Sequence, residues 1–204
     1  LEYPFEGQIL NRPIHDQKLV YLAKKEGAEY LTKSRVNDVI DNTVILKNGE
    51  HLSSNIIVGC GGPHDILRKK FWSESSLNIA VSFVLMDGDF EDRVDLFFGS
   101  IAPGGYAWMI PKEGGRANVG LVTTDKKGAI KYLNSFIQDT YLDGKPTVNP
   151  PWRPDGVKVR PFGGTIPISG PRSVTVGDGL ILVGDAAGFT SPLVEGGPHL
   201  ALWS

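Results

Sequence analysis

The stretch "GLILVGDAAGFTSPLVEGG", Gly179 to Gly197, constrains the fold of this chain most. A short apolar strand, Leu180 to Val183, runs into a glycine, a carboxylate and three small residues, and a glycine pair about ten residues later precedes a helix. That is the texture of an α/β fold, in which ligands bind beyond the carboxyl ends of strands. Asp185 stands at such an end. Gly184 allows close backbone approach and an unusual φ. A carboxylate there can accept hydrogen bonds from polyol or ribose hydroxyls but would repel a phosphate. Ala186, Ala187 and Gly188 let the backbone crowd a flat or extended ligand. Gly196 and Gly197 open a helix whose first N–H groups are unpaired and whose dipole end is positive. The same residues also suit an Asx-type turn between strand and helix, with glycines chosen for turn geometry alone. The local pattern leaves both readings open.

The rest of the chain divides by texture. Asn11 to Glu26 reads as an amphipathic helix, with Asn11 as cap, Pro13 in the first turn, Gly27 as terminator and Leu19, Leu22 and Ala23 on one face. "TVILKNGEHLSS" is a hairpin turning at Asn48-Gly49. "NIIVG", Asn55 to Gly59, reads as a buried parallel strand. From about Ser73 the pattern changes to alternation: "LNIAVSFVL" places Leu77, Ile79, Val81, Phe83 and Leu85 on one face, and strands follow over Arg93–Phe98, Tyr106–Ile110 and Ala117–Thr123. A helix between Gly128 and Tyr141 is expected to bury Ile130, Leu133, Ile137 and Tyr141. "DGKPTVNPPWRPDG" reads as a surface connection, and from Gly177 the α/β texture returns.

Charge and composition remove several classes. Lys plus Arg is 21 against 23 Asp plus Glu, a net charge of −2, which gives no reason to expect a nucleic-acid partner. No apolar run reaches the length of a membrane span. The lone Cys60 excludes an internal disulfide and a cysteine zinc site, and fits a reducing cytoplasm. Cys60 reads as a small packing residue, because no His stands in a recognisable dyad pattern with it. His15, His51, His64 and His199 are scattered without metal-ligand spacing, and no metal is expected. Arg12 could partner a ligand phosphate or Asp16. The chain does not begin with Met, and its last helix stops one or two turns in at Ser204, so the expectation is a piece of a longer protein at both ends.

Four stretches together resemble one family. "GDAAGFTSPLVEGG" is similar to the C-terminal flavin motif of the geranylgeranyl reductase family, within the p-hydroxybenzoate-hydroxylase-like FAD enzymes. "NRPIHDQKLVYLAKKEGAEYL" resembles the family's Arg-containing helix. "NIIVGCGGPHDILRKKF" resembles a stretch whose usual form is Ala-Asp-Gly followed by a Ser and an Arg. "YAWMIPK" followed by Gly120 resembles its substrate signature of Tyr, Trp, an aromatic, Pro and Lys before a glycine pair. Gly61 stands where the family usually has Asp, Asp65 where it has Ser, Ile110 where it has an aromatic, and Val122 where it has a small residue. No GxGxxG follows a first strand, so the pyrophosphate-cradling turn is expected upstream of Leu1.

The resemblance implies an α/β fold: a partial FAD-binding domain over 1–72 and 171–204, with an antiparallel β-sheet substrate domain over 73–170. It implies FAD held by Arg12, Gly61, Gly62, Gly184, Asp185, Ala186, Pro192, Gly196 and Gly197. The helix opening after Gly197 would favour the negative charge of a reduced flavin near N1 and the C2 carbonyl. Tyr106, Trp108, Ile110, Pro111, Lys112 and Gly120 would bind a prenyl-lipid or prenyl-diphosphate substrate. The implied reaction is hydride transfer from reduced flavin to an isoprenoid double bond, with NAD(P)H or ferredoxin as external electron donor. The expected location is cytoplasmic, with any membrane contact peripheral. The alternatives are a flavin monooxygenase or halogenase of the same fold and a non-catalytic prenyl-lipid-binding module.

Overall fold

The computed structural model describes residues 4, 7, 9–71, 78–87, 92–138, 141–142, 145–146, 162–191 and 196–204. Its largest sheet comes from the alternating middle of the sequence. The strands are β5 (Asn78–Asp87), β6 (Asp95–Phe98), β7 (Tyr106–Lys112), β8 (Arg116–Thr123) and β11 (Phe162–Pro167). They lie in the order β11-β5-β8-β7-β6, antiparallel throughout. Side chains alternate across a pleated strand, and here the alternation separates two different faces. Ala107, Met109, Ala117, Val119 and Leu121 point to one side, where the helix α3 (Ala129–Gln138) seals them with Leu133, Phe136 and Ile137. Phe97 meets Phe136 edge-on, centroids 5.0 Å apart. The other face, with Tyr106, Trp108 and Ile110, is only half-buried.

α3 buries Leu133 and Ile137 as its sequence suggests and adds Ala129 and Phe136, but not Ile130, which is 52 % exposed. The helix ends at Gln138, and Tyr141 belongs to β9 (Tyr141–Leu142), paired with β10 (Lys145–Pro146). Most of the Pro/Gly-rich connection beyond it, like Leu77 before β5, lies outside the described residues.

The second unit joins the two ends of the chain. β4 (Ile57–Gly59) runs parallel to β13 (Leu180–Leu182), which also pairs with β12 (Val176–Gly177). Around them Val39, Leu67, Leu182, Ala186 and Ala187 form a small core. Val39 comes from the meander β1 (Val36–Ile40), β2 (Thr43–Leu46), β3 (His51–Ser53), whose β2–β3 hairpin turns at Asn48-Gly49, with Gly49 at φ 89°. β4 is parallel as its apolar run suggests but only partly buried: Gly59 is buried, Ile57 packs against the core and Val58 is 49 % exposed, with β4 at the sheet's end among the described residues.

The helix α1 (Arg12–Lys25) forms where Asn11 and Pro13 place it, although the Asn11 side chain makes no capping bond. None of its residues is buried, and Leu19 and Leu22 face solvent. Its apolar face therefore has no cover among the described residues.

Candidate functional site

The glycine-rich stretch folds as a short helix, α4 (Gly184–Ala187), entered directly from β13 and left through Gly188. Gly184 takes φ 56°, and its N–H donates to Ser204 Oγ at 2.9 Å. Ser204 follows α5 (Pro198–Trp203), which packs on α4. A Cβ at Gly184 would stand 3.2 Å from the Ala201 methyl.

Asp185 is held from two sides. Its Oδ1 accepts the Thr190 hydroxyl at 2.8 Å. Its carbonyl oxygen accepts from Arg68 Nη1 at 2.7 Å. Arg68 opens α2 (Arg68–Phe71) and is buried. Burial pushes its guanidinium below the ordinary value, and Arg172 adds to that, while Asp65 and Asp185 oppose it. A Cβ at Gly197 would lie 2.7 Å from Asp185 Oδ1, so glycine is required there for α5 to approach the carboxylate. Ser191 N–H donates to the Gly196 carbonyl at 3.1 Å. Pro192 lies outside the described residues.

The turn after β4 completes this group. Gly61 precedes a 3-10 turn at Gly62–His64, which packs on α4. Gly59 accepts from Val183 N–H at 3.1 Å. The structure thus brings Gly61, Gly62, Gly184, Asp185, Ala186, Gly196 and Gly197 into one neighbourhood. It does not bring Arg12 there: that guanidinium pairs with Asp16 on the exposed surface of α1, at 3.1 and 3.2 Å. Arg12, ahead of His15, holds the Asp16 carboxyl below the usual range.

On the large sheet, Tyr106, Trp108, Ile110 and Lys112 share the half-buried face, and Pro111 is buried on the opposite one, registered with Ala117. Gly120 stands across from Trp108. The edge strand β6 extends the face: Leu96 is opposite Trp108 and Phe98 opposite Tyr106. Phe98, Tyr106 and Trp108 form a row, with ring centroids 5.7 and 5.9 Å apart. One end of this sheet meets the glycine turn, because His64 Nε2 lies 2.9 Å from the Thr165 hydroxyl. Thr165 is registered with Ala80, and Ala80 with Thr123, near the Tyr106 end of the aromatic row.

Thr190, Asn118 and the His64–Thr165 contact escape a reading by motif, and Arg68 stands as the Arg of the quoted stretch with no partner to be read from it. Arg68 lies three residues past Asp65 in a turn that invites attention to its glycines; its partner is 117 residues away. Cys60 is exposed as a residue rather than packed, and partial desolvation of its thiol, then the nearby Asp65, pushes its pKa up. Among the described residues no His, Cys, Asp and Glu cluster could hold a metal, and no helix is long and apolar enough to cross a membrane.

The chain is similar to several known proteins. Residues 76–149 match the family model of the geranylgeranyl reductase catalytic domain. Digeranylgeranylglycerophospholipid reductase 3 of Methanosphaera stadtmanae is 33 % identical over 226 residues, covering 100 % of this chain and 53 % of that protein. Digeranylgeranylglycerophospholipid reductase 1 of Methanococcoides burtonii is 30 % identical, covering 94 % of this chain and 48 % of its own length. The chain spans about half the length of the curated relatives it matches. Among solved structures, a geranylgeranyl bacteriochlorophyll reductase-like protein from Thermoplasma acidophilum superposes with a TM-score of 0.77 at 25 % identity, over 94 % of this chain and 51 % of that one. The flavin-dependent brominase Bmp2 superposes with a TM-score of 0.66 at 17 % identity, over 89 % and 50 %, a likeness of fold alone.

Proposed function

Because this chain belongs to the geranylgeranyl reductase family of flavoproteins, we propose that it supplies the substrate sheet and one side of the cofactor site of an FAD-dependent oxidoreductase that saturates isoprenoid double bonds. The proposed division is a flavin-binding portion over 1–72 and 171–204 and a substrate domain over 73–170. The single observation that carries the reading is the asymmetry of the large sheet. α3 seals the side of β7 and β8 that bears Ala107, Met109, Val119 and Leu121, while the side bearing the Phe98–Tyr106–Trp108 row stays half-buried. An aromatic row of that kind suits a hydrocarbon chain.

The residues around Asp185 fit a flavin. Its Oδ1 is used by Thr190, but Oδ2 has no partner among the described residues, which leaves an acceptor for a ligand hydroxyl. Gly197 keeps the space beside the carboxylate clear of a side chain. Asp185 Oδ2 would bind the cofactor's ribityl or ribose hydroxyls, and the backbone at Gly61-Gly62 and Gly196-Gly197 would crowd its flat part. When bound, reduced FAD would supply the hydride for one carbon of the double bond, and a proton would complete the other. Arg68 fixes the Asp185 backbone, and so the direction of the carboxylate, by its bond to the carbonyl oxygen. Tyr106, Trp108 and Ile110 exclude water from the chain they hold. The substrate class proposed is a prenyl lipid or prenyl diphosphate, the electron donor NAD(P)H or ferredoxin, and the location cytoplasmic with any membrane contact peripheral.

The test uses the full-length parent with digeranylgeranylglycerophospholipid. Reduced product, detected as a mass gain of one H2 per double bond, is the expected result. Oxygen-dependent hydroxylation or halogenation instead would favour the monooxygenase reading. In the same protein Asp185→Ala is expected to lose about ten- to a hundredfold in FAD affinity, the equivalent of ~1.5–3 kcal/mol for a charge-assisted hydrogen bond. Unchanged flavin occupancy would reduce the motif to a turn.

A further inference from the structure

Trp108 is held by one directed bond. Its indole Nε1–H donates to Asn118 Oδ1 at 2.9 Å, in a part-buried position. The register explains why this bond matters. Trp108 faces Gly120 across the β7–β8 ladder, and Asn118 faces Ile110. The contact therefore runs diagonally, from one cross-strand pair to the next, a distance long side chains can span. On the β8 side the residue opposite the indole, Gly120, has no side chain to confine it, and on the β6 side its neighbour is the exposed Leu96. Tyr106 meets the ring only obliquely, at an interplanar angle of 57°. Strand packing alone leaves more than one staggered χ1 open to a tryptophan on this face. The Asn118 acceptor selects among them. It also engages the indole's polar atom, so that the ring offers carbon surface to whatever lies along the row.

We propose that Asn118 is a positioning residue for the prenyl chain: through the indole N–H it sets the plane of Trp108, and so the depth at which the isoprene units lie on the sheet. This rests on the prenyl-lipid reading given above. Asn118 acts through Trp108 and is not a catalytic residue.

The 204-residue chain is titrated with geranylgeraniol in detergent micelles, and the indole N–H signals are followed by NMR, that of Trp108 being assigned by its loss in Trp108→Phe. In the wild type the Trp108 N–H is expected to exchange slowly and to shift on titration. Asn118→Leu, which lacks an acceptor, is expected to speed that exchange and to weaken binding roughly 2- to 10-fold, the effect of one neutral hydrogen bond. Asn118→Asp keeps an acceptor oxygen and should restore both. Added to Trp108→Phe, Asn118→Leu should cost nothing further, because its partner is already gone. Should Asn118→Leu not fold, Asn118→Val, a strand former without an acceptor, takes its place. Equal losses in the wild-type and Trp108→Phe backgrounds would overturn the inference alone, as would a Trp108 N–H exchanging at the solvent rate in the wild type. A wild-type chain that binds no geranylgeraniol, with its indole protected, would overturn the prenyl-lipid reading and the inference with it.

Discussion

Asp65 and Gly61 share one volume. The Asp65 carboxylate folds back so that Oδ2 accepts the Gly61 N–H at 2.6 Å and Oδ1 accepts the Leu67 N–H at 2.8 Å. A Cβ at position 61 would stand 2.7 Å from that Oδ2. Family resemblance places Asp at 61 and Ser at 65, so here a carboxylate is displaced by four residues and its oxygen lies where the missing side chain would begin. One structural change would account for both departures. Gly61→Asp alone is expected to destabilise the chain by about 1–3 kcal/mol, as overpacking does, with repulsion between the two carboxylates added. Gly61→Asp combined with Asp65→Ser should recover at least half of that loss in urea unfolding. Strict additivity of the two substitutions would show that the positions are not coupled.

At the scale of an element, α3 begins in a turn organised by Asp125. Oδ1 accepts the N–H groups of Gly128 and Lys127, at 3.1 and 3.2 Å, and Oδ2 accepts the Tyr132 hydroxyl at 3.1 Å. Chiefly the Gly128 amide, and then the Tyr132 hydroxyl, hold this carboxyl below the usual range, while the same contact pushes the Tyr132 phenol up. A carboxyl depressed in the folded state stabilises fully above its unfolded pKa, about 4, and loses that contribution as pH falls through the folded value. Asp125→Ala is therefore expected to lower the melting temperature at pH 7, and the gap from wild type should narrow steadily below about pH 4. A gap of constant size down to pH 2 would assign the loss to packing rather than to the ionised carboxylate.

Across the whole molecule, cover is distributed unevenly. β7 and β8 lie inside the five-stranded sheet and carry the sealed face, whereas α1 buries nothing and presents Ile14, Leu19, Tyr21 and Leu22 to solvent. Near the other end of the chain, Trp203 on α5 is 91 % exposed. A helix of this length is marginal when nothing packs on it, and local stability follows contact density. In hydrogen–deuterium exchange on the 204-residue chain, the amides of α1 are expected to exchange almost unprotected, and those of β7 and β8 to be the slowest. Comparable protection in α1 and β8 would mean that α1 is covered in solution, by another copy or by a segment packed differently.

Local chemistry was legible in the residues themselves. The alternation Tyr106-Ala107-Trp108-Met109-Ile110 sorts two faces because the strand period is two, and Asn48-Gly49 fixes its hairpin because few residues accept that turn. Gly184-Asp185 marks the end of a strand for the same local reason. Periodicity says that a face is apolar but not what covers it. Thus, among the described residues, α1 reads as amphipathic and stands uncovered, β4 reads as buried and is only partly so, and α3 buries Phe136 in preference to Ile130. Arg68 reaching Asp185 over 117 residues, His64 meeting Thr165 over 101, and the diagonal from Trp108 to Asn118 were decided by tertiary structure. Each depends on which segments pair and in what register. Those choices are made by the packing of the whole chain, because no residue near either partner in sequence carries them.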